Sequence, residues 1–253
     1  MLLLLPVLIL SAGAEKEETE TVGEVTAVKK QAGVIVTSEG GMIGGPVPVE
    51  FNEAPMLKAM VASGELPPVA ERLPDEPLVV RPFESVGKYG GTLTFTMRTV
   101  TGWDIIQNSN LEPLLHKEQN NYNNAIPNLA VNREMDADAK AFTLYLRKGV
   151  KYSDGVEFTA DDIMFWYDDQ FMNEELAQAW RSEWRPMTVE KIDDYTLRYT
   201  FPEPSPGVIH AFASATWWGS QSMAFQPAHY AKQFHIDYNK DAADLAKAEG
   251  FDY

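Results

Sequence analysis

Between Phe142 and Phe201 the spacing of apolar residues changes twice, so neither an all-helical nor an all-β chain accommodates this stretch. Phe142-Thr-Leu-Tyr-Leu-Arg147 alternates, which predicts a half-buried strand. Thr159 followed by Asp162 is a capping box, the hydroxyl and the carboxylate each accepting a free amide of a helix's first turn. Asp161 and Asp162 also complement the positive end of the helix dipole. Ile163, Trp166, Tyr167 and Gln170-Phe171 then follow at helical spacing. The period returns to two in Val189–Ile192 and Tyr195–Phe201. Asp193-Asp194 between them predicts a hairpin turn, because Asp tolerates positive φ better than most residues. Strands mixed with helices place the chain in the α/β or α+β class and exclude a helical bundle. No internal repeat is present.

The flanks are less regular. Thr92-Leu-Thr-Phe-Thr-Met97 alternates and predicts a strand after Gly90-Gly91. Residues 53–63 predict a helix, with Met56, Leu57, Met60 and Val61 on one face, Asn52 as N-cap and Gly64 as terminator. Prolines 67, 68, 74, 77 and 82 then predict an extended strap over the surface. Residues 15–52 read as a poorly ordered leader broken by Gly40-Gly41 and Gly44-Gly45-Pro46, with one short strand at Val34–Val36. Lys240–Glu249 predicts a helix ending at Gly250, and Asn120-Asn121 with Asn123-Asn124 predicts a solvated loop.

Leu2–Leu10 is an apolar run too short to span a bilayer as a helix. Small residues Ser11–Ala14 in an A-x-A arrangement and the charged run Glu15–Glu20 follow it. This predicts a secretory signal peptide cut after Ala14, although no basic residue precedes the run: either the true start lies upstream or the signal is atypical. Asp plus Glu outnumber Lys plus Arg by 37 to 21, a net charge of −16 that repels phosphate backbones and argues against nucleic-acid binding. With no cysteine, the sequence has no disulfide, no thiolate metal site, no cysteine nucleophile and no cysteine for a lipid anchor.

The stretch Leu146-Arg-Lys-Gly-Val-Lys-Tyr-Ser-Asp-Gly-Val-Glu-Phe-Thr-Ala-Asp-Asp-Ile-Met-Phe-Trp-Tyr167 closely resembles the signature of the family 5 extracellular solute-binding proteins, the oligopeptide-type binding proteins of ABC importers. Lys88–Leu93, Ile126–Ala130, Lys191–Pro204 and Pro227–Tyr230 resemble other blocks of that family in order, and Leu66–Pro77 resembles the leader of a longer subgroup. Val131-Asn132 stands where the family usually has Glu-Ser-Trp. The resemblance implies an α/β, type II periplasmic-binding-protein-like fold, of which this chain carries mostly lobe I. The expected organisation is a signal peptide over 1–14, the leader over 15–52, helix plus Pro-rich strap over 53–83, and an incomplete lobe I over 84–253. A second lobe is expected beyond this chain, which is then a fragment of a longer protein.

The signature's carboxylates, Asp154, Glu157, Asp161 and Asp162, are better explained by turn and cap formation than by acid–base chemistry, which needs two carboxyls facing one substrate atom. His116, His210, His229 and His235 are scattered, lack metal-ligand spacing, and predict no metal site; His229 reads as structural. No G-x-S-x-G nucleophile elbow and no phosphate loop occur, and no cofactor is expected. Trp166, Tyr167, Trp180 and Trp184 read as packing.

Trp217-Trp218 is different, because adjacent side chains on a strand point to opposite faces and both cannot enter one core. The resemblance places that region, and the loop holding Trp103-Asp104, near the ligand cleft. Trp103, Asp104, Trp217 and Trp218 are therefore the candidate ligand-binding residues. The expected function is capture of an extracytoplasmic oligopeptide and its delivery to an ABC permease in the membrane, by a protein that is not an enzyme. An oligosaccharide is the alternative cargo, since stacked Trp suits sugar faces as well. A secreted hydrolase using a carboxylate pair and a purely structural domain are the readings from other classes.

Overall fold

A computed structural model describes residues 47–80, 82, 85–92, 94, 112–118, 121–174, 187–213 and 225–251, with the main chain alone at 121–123. In chain order the elements are α1 (Lys58–Ala62), α2 (Val69–Arg72), β1 (Leu115–Glu118), β2 (Asn121–Pro127), β3 (Ala130–Met135) and β4 (Ala141–Leu146). Then come α3 (Ala160–Phe165), continued by a π-helical turn over Trp166–Phe171, the hairpin β5 (Thr188–Asp193) and β6 (Thr196–Thr200), α4 (Val208–Phe212), α5 (Ala228–Ala231) and α6 (Ala242–Ala248). No helix among the described residues is long and apolar enough to cross a membrane.

Four strands make one antiparallel sheet in the order β3-β4-β6-β5, and β1 pairs with β2 in a separate antiparallel ribbon. The alternation in β4 and β6 decides the register: Phe142 lies opposite Tyr199 and Leu144 opposite Leu197, all four on the buried face. The Phe142 and Tyr199 rings stack at 4.5 Å, and Phe212 of α4 meets each of them edge-on at 5.0 Å. Ile163, Trp166, Tyr167 and Phe171 join the same core, as their helical spacing predicts. A π-helical turn separates Trp166 and Phe171 by one widened turn and stacks their rings at 4.9 Å. Each large side chain withdrawn from water here contributes about 1.5–3 kcal/mol.

The capping box forms as read: the Thr159 hydroxyl accepts the Asp161 amide at 3.3 Å, and Asp162 Oδ2 accepts the Thr159 amide at 2.9 Å. The C-terminal helix ends as read too, with Gly250 at φ 88° and the amides of Gly250 and Phe251 returning to Lys247 and Ala246.

Five local expectations are corrected. The first helix begins at Lys58 rather than 53, because Pro55 disfavours helical geometry at Ala54. Asn52 is not its cap, and Glu53 instead accepts the Val69 amide at 3.1 Å and pairs with Arg72. The Pro-rich strap is not wholly extended, since α2 forms directly after Pro67-Pro68, a placement in which the missing N–H costs nothing.

The Asn-rich stretch is strand β2 from Asn121 onward, paired with β1 across a bulge at Lys117/Glu118. The hairpin turns at Asp194-Tyr195, one residue later than expected and without positive φ. There the Asp193 carboxylate accepts the Tyr195 amide at 2.8 Å, and Lys191 holds Asp194 at 2.8 Å. The strands expected at Val34–Val36 and, for the most part, Thr92–Met97 lie outside the described residues, as do Leu2–Leu10, Trp180 and Trp184.

Candidate functional site

The signature, Leu146–Tyr167, runs from the end of β4 through a tight turn into α3, and its four carboxylates are all engaged by partners within the chain. The main chains of Lys151 and Glu157 pair in an isolated antiparallel β-bridge, the Tyr152 amide donates to Val156 O at 2.8 Å, and Gly155, at φ 90°, closes the turn with its amide on Tyr152 O at 3.0 Å. Asp154 Oδ1 accepts the Val156 amide at 3.1 Å, and its Oδ2 meets His229 Nε2 at 2.6 Å. Glu157 Oε1 accepts the Gly149 amide at 2.8 Å and the Tyr195 hydroxyl at 2.7 Å. Asp161 pairs with Lys191 at 2.7 Å. Asp162, buried, takes the Ala228 amide on Oδ1 at 2.9 Å and the Thr159 amide on Oδ2.

The electrostatics follow this wiring. The His229 hydrogen bond holds the Asp154 carboxyl below its usual range. Burial pushes Asp162 up, partly offset by the two amides it accepts. Burial, then the Asp162 charge beside it, raises the Tyr152 phenol. Tyr195, hydrogen-bonded to Glu157, is pushed up to about 12. The four carboxylates thus make turn, cap and tie contacts, and His229 joins them through Asp154.

A second buried polar node was not legible beforehand. Arg147 is only 6% exposed; its Nε donates to Asn128 O at 2.9 Å and its Nη1 to Glu76 O. Asn128, also buried, donates to Glu112 Oε1 and Pro113 O, both at 2.6 Å. The node joins the strap, the β2–β3 turn and the start of the signature. A lone Arg after a strand carries no signal of burial, and its neighbour Lys148 is exposed. Glu118, 2% exposed, accepts the Asn124 amide at 2.8 Å, which is why an Asn-rich segment pairs as a strand here.

Trp103, Asp104, Trp217 and Trp218 lie outside the described residues. Among the described residues no three His, Asp or Glu side chains gather as a metal site would need.

Residues 124–249 match the family described as bacterial extracellular solute-binding proteins, family 5 Middle. The chain is similar to the periplasmic alpha-galactoside-binding protein of Rhizobium meliloti (strain 1021), 30% identical over 214 residues, covering 75% of this chain and 30% of that protein. Its structure resembles that of an oligopeptide-binding protein OppA, with 36% identity and a TM-score of 0.63 over 76% of this chain and 29% of the other. It also resembles the periplasmic binding protein MelB of Agrobacterium fabrum C58 in complex with stachyose, with 26% identity and a TM-score of 0.62 over 82% of this chain and 34% of the other. The chain spans about a third of the length of these relatives. Its fold is that of part of a type II periplasmic binding protein, with mixed helices and sheets.

Proposed function

Because the chain belongs to the family 5 bacterial extracellular solute-binding proteins, we propose that it captures a small solute outside the cytoplasmic membrane and presents it to the permease of an ABC importer. The observation that carries this reading is the family match over 124–249, which takes in most of the strand, turn and capped helix described above. In this reading residues 84–253 build most of one lobe of a clamp that closes on its ligand, with Trp103, Asp104, Trp217 and Trp218 as the contacts to test first. The role is binding and not turnover: relatives are solute-binding proteins, and the signature's carboxylates are held by partners in the chain.

The cargo we assign is an oligopeptide, supported by the 36% identity with the oligopeptide-binding protein. An oligosaccharide is the second reading, favoured by the alpha-galactoside-binding relative and the stachyose complex. A thermal-shift screen against short peptides and α-galactosides tests both, using the chain with any downstream sequence its gene encodes. Ligand at a hundred times its Kd stabilises by about 2.7 kcal/mol. A shift with one class and no product formed supports binding of that class. Consumption of the ligand, or no shift with either class, contradicts the proposal.

A further inference from the structure

The strap crosses the start of the signature with its main chain rather than its side chains. The Asp75 amide donates to Lys148 O at 3.2 Å, Lys151 Nζ donates to Glu71 O at 2.8 Å, and Arg147 Nη1 donates to Glu76 O. Gly149, at φ 74°, forms the floor: a Cβ there would stand 3.0 Å from the Asp75 amide nitrogen and 3.3 Å from Pro74 Cα. The strap backbone therefore rests on a bare glycine.

Charge points the same way. Arg147, Lys148 and Lys151 gather in five residues of a chain whose net charge is −16, and the strap above them carries Glu71, Asp75 and Glu76. Arg147 Nη2 is buried with no hydrogen-bond partner, a spare donor beside the Glu76 carbonyl contact. The strap is also separate from the core. None of the described residues from 47 to 94 is buried, while the core cluster begins at Leu114. The Glu53–Arg72 pair and the Arg72 Nε to Pro67 O bond of 2.9 Å tie the strap to itself.

One main-chain bond and two cationic side chains on the strap's carbonyls, with acidic flanks, make a contact that reads the peptide backbone and its charge. We propose that Glu71–Glu76, the last turn of α2 and the bend after it, is a self-docked segment: the basic face over Arg147–Lys151 accepts this acidic chain, the strap is its resident occupant, and the strap opens as a unit of its own while the sheet stays folded. This stands apart from the solute-binding reading and does not depend on it.

Hydrogen exchange on the full chain tests the opening. The Asp75 amide should exchange at least about 100-fold faster than the β4 and β6 amides paired with each other, as local opening requires. Lys151→Ala should speed Asp75 several-fold further and leave β4 and β6 unchanged. Equal rates at Asp75 and β4, or no response of Asp75 to Lys151→Ala, would overturn the proposal. Occupancy is tested by placing a protease site in the exposed 87–91 stretch and cutting after folding. A labelled synthetic peptide of residues 66–80 should then exchange into the nicked protein. Precipitation of the body on loss of the strap, or no uptake of the peptide, counts against a peptide-accepting face.

Discussion

The Asp162 carboxylate accepts the main-chain amide of Ala228 at 2.9 Å while its other oxygen caps its own helix, so the starts of α3 and α5 share one anion. Asp162→Ala leaves the Thr159 and Ala228 amides without that acceptor and removes half of the capping box. We expect a loss of about 2–4 kcal/mol by urea unfolding, with Asp162→Asn, which keeps one acceptor, costing less.

Asp154 and His229 give a pH prediction with a definite sign. The folded carboxyl sits below its ordinary value because His229 stabilises the anion. Its contribution to stability is therefore present above about pH 3.9, the ordinary Asp value, and is lost as pH falls through the lower folded value. In His229→Gln the Asp154 titration, followed by carboxyl carbon NMR, should move up toward about 3.9. An unmoved titration would mean that the Val156 amide alone sets it.

Tyr199 is fully buried and stacked on Phe142, but its hydroxyl has no hydrogen-bond partner. Tyr199→Phe should then be neutral or stabilising by up to about 1 kcal/mol, since it removes a desolvated hydroxyl and keeps the ring. Phe142→Ala, which opens a cavity between Tyr199 and Phe212, should cost about 3–5 kcal/mol. Chemical denaturation of the two variants checks both signs.

Gly149 is placed under the strap at positive φ, so Gly149→Ala meets both a strained backbone and the Asp75 amide. Its cost should be at least about 1–2 kcal/mol by urea unfolding, the penalty of a left-handed non-glycine residue alone. Its proteolysis should increase within 71–80 and not within β4 or β6.

What the sequence discloses is local. The capping box, the Gly250 stop and the β4 and β6 alternation each rest on residues within a few positions of one another, and each is found as read. The misplacements come from partners distant in the chain. Glu53 leaves its expected helix for Val69 and Arg72, and Asn124 enters a strand because it serves the buried Glu118. Arg147 is buried because Asn128 and Glu76, 19 and 71 residues away, supply its acceptors. The expected ligand contacts rested on the resemblance and on the oddity of adjacent Trp residues, and neither fixes where a side chain points.

Calorimetric titration of the chain, with any downstream sequence its gene encodes, against a short peptide mixture and against stachyose addresses the central claim most directly. The account predicts saturable binding of one class, weakened at least about tenfold by Trp217→Ala or Trp218→Ala, with the ligand recovered intact. Intact protein that binds neither class, or a ligand recovered cleaved, would contradict it.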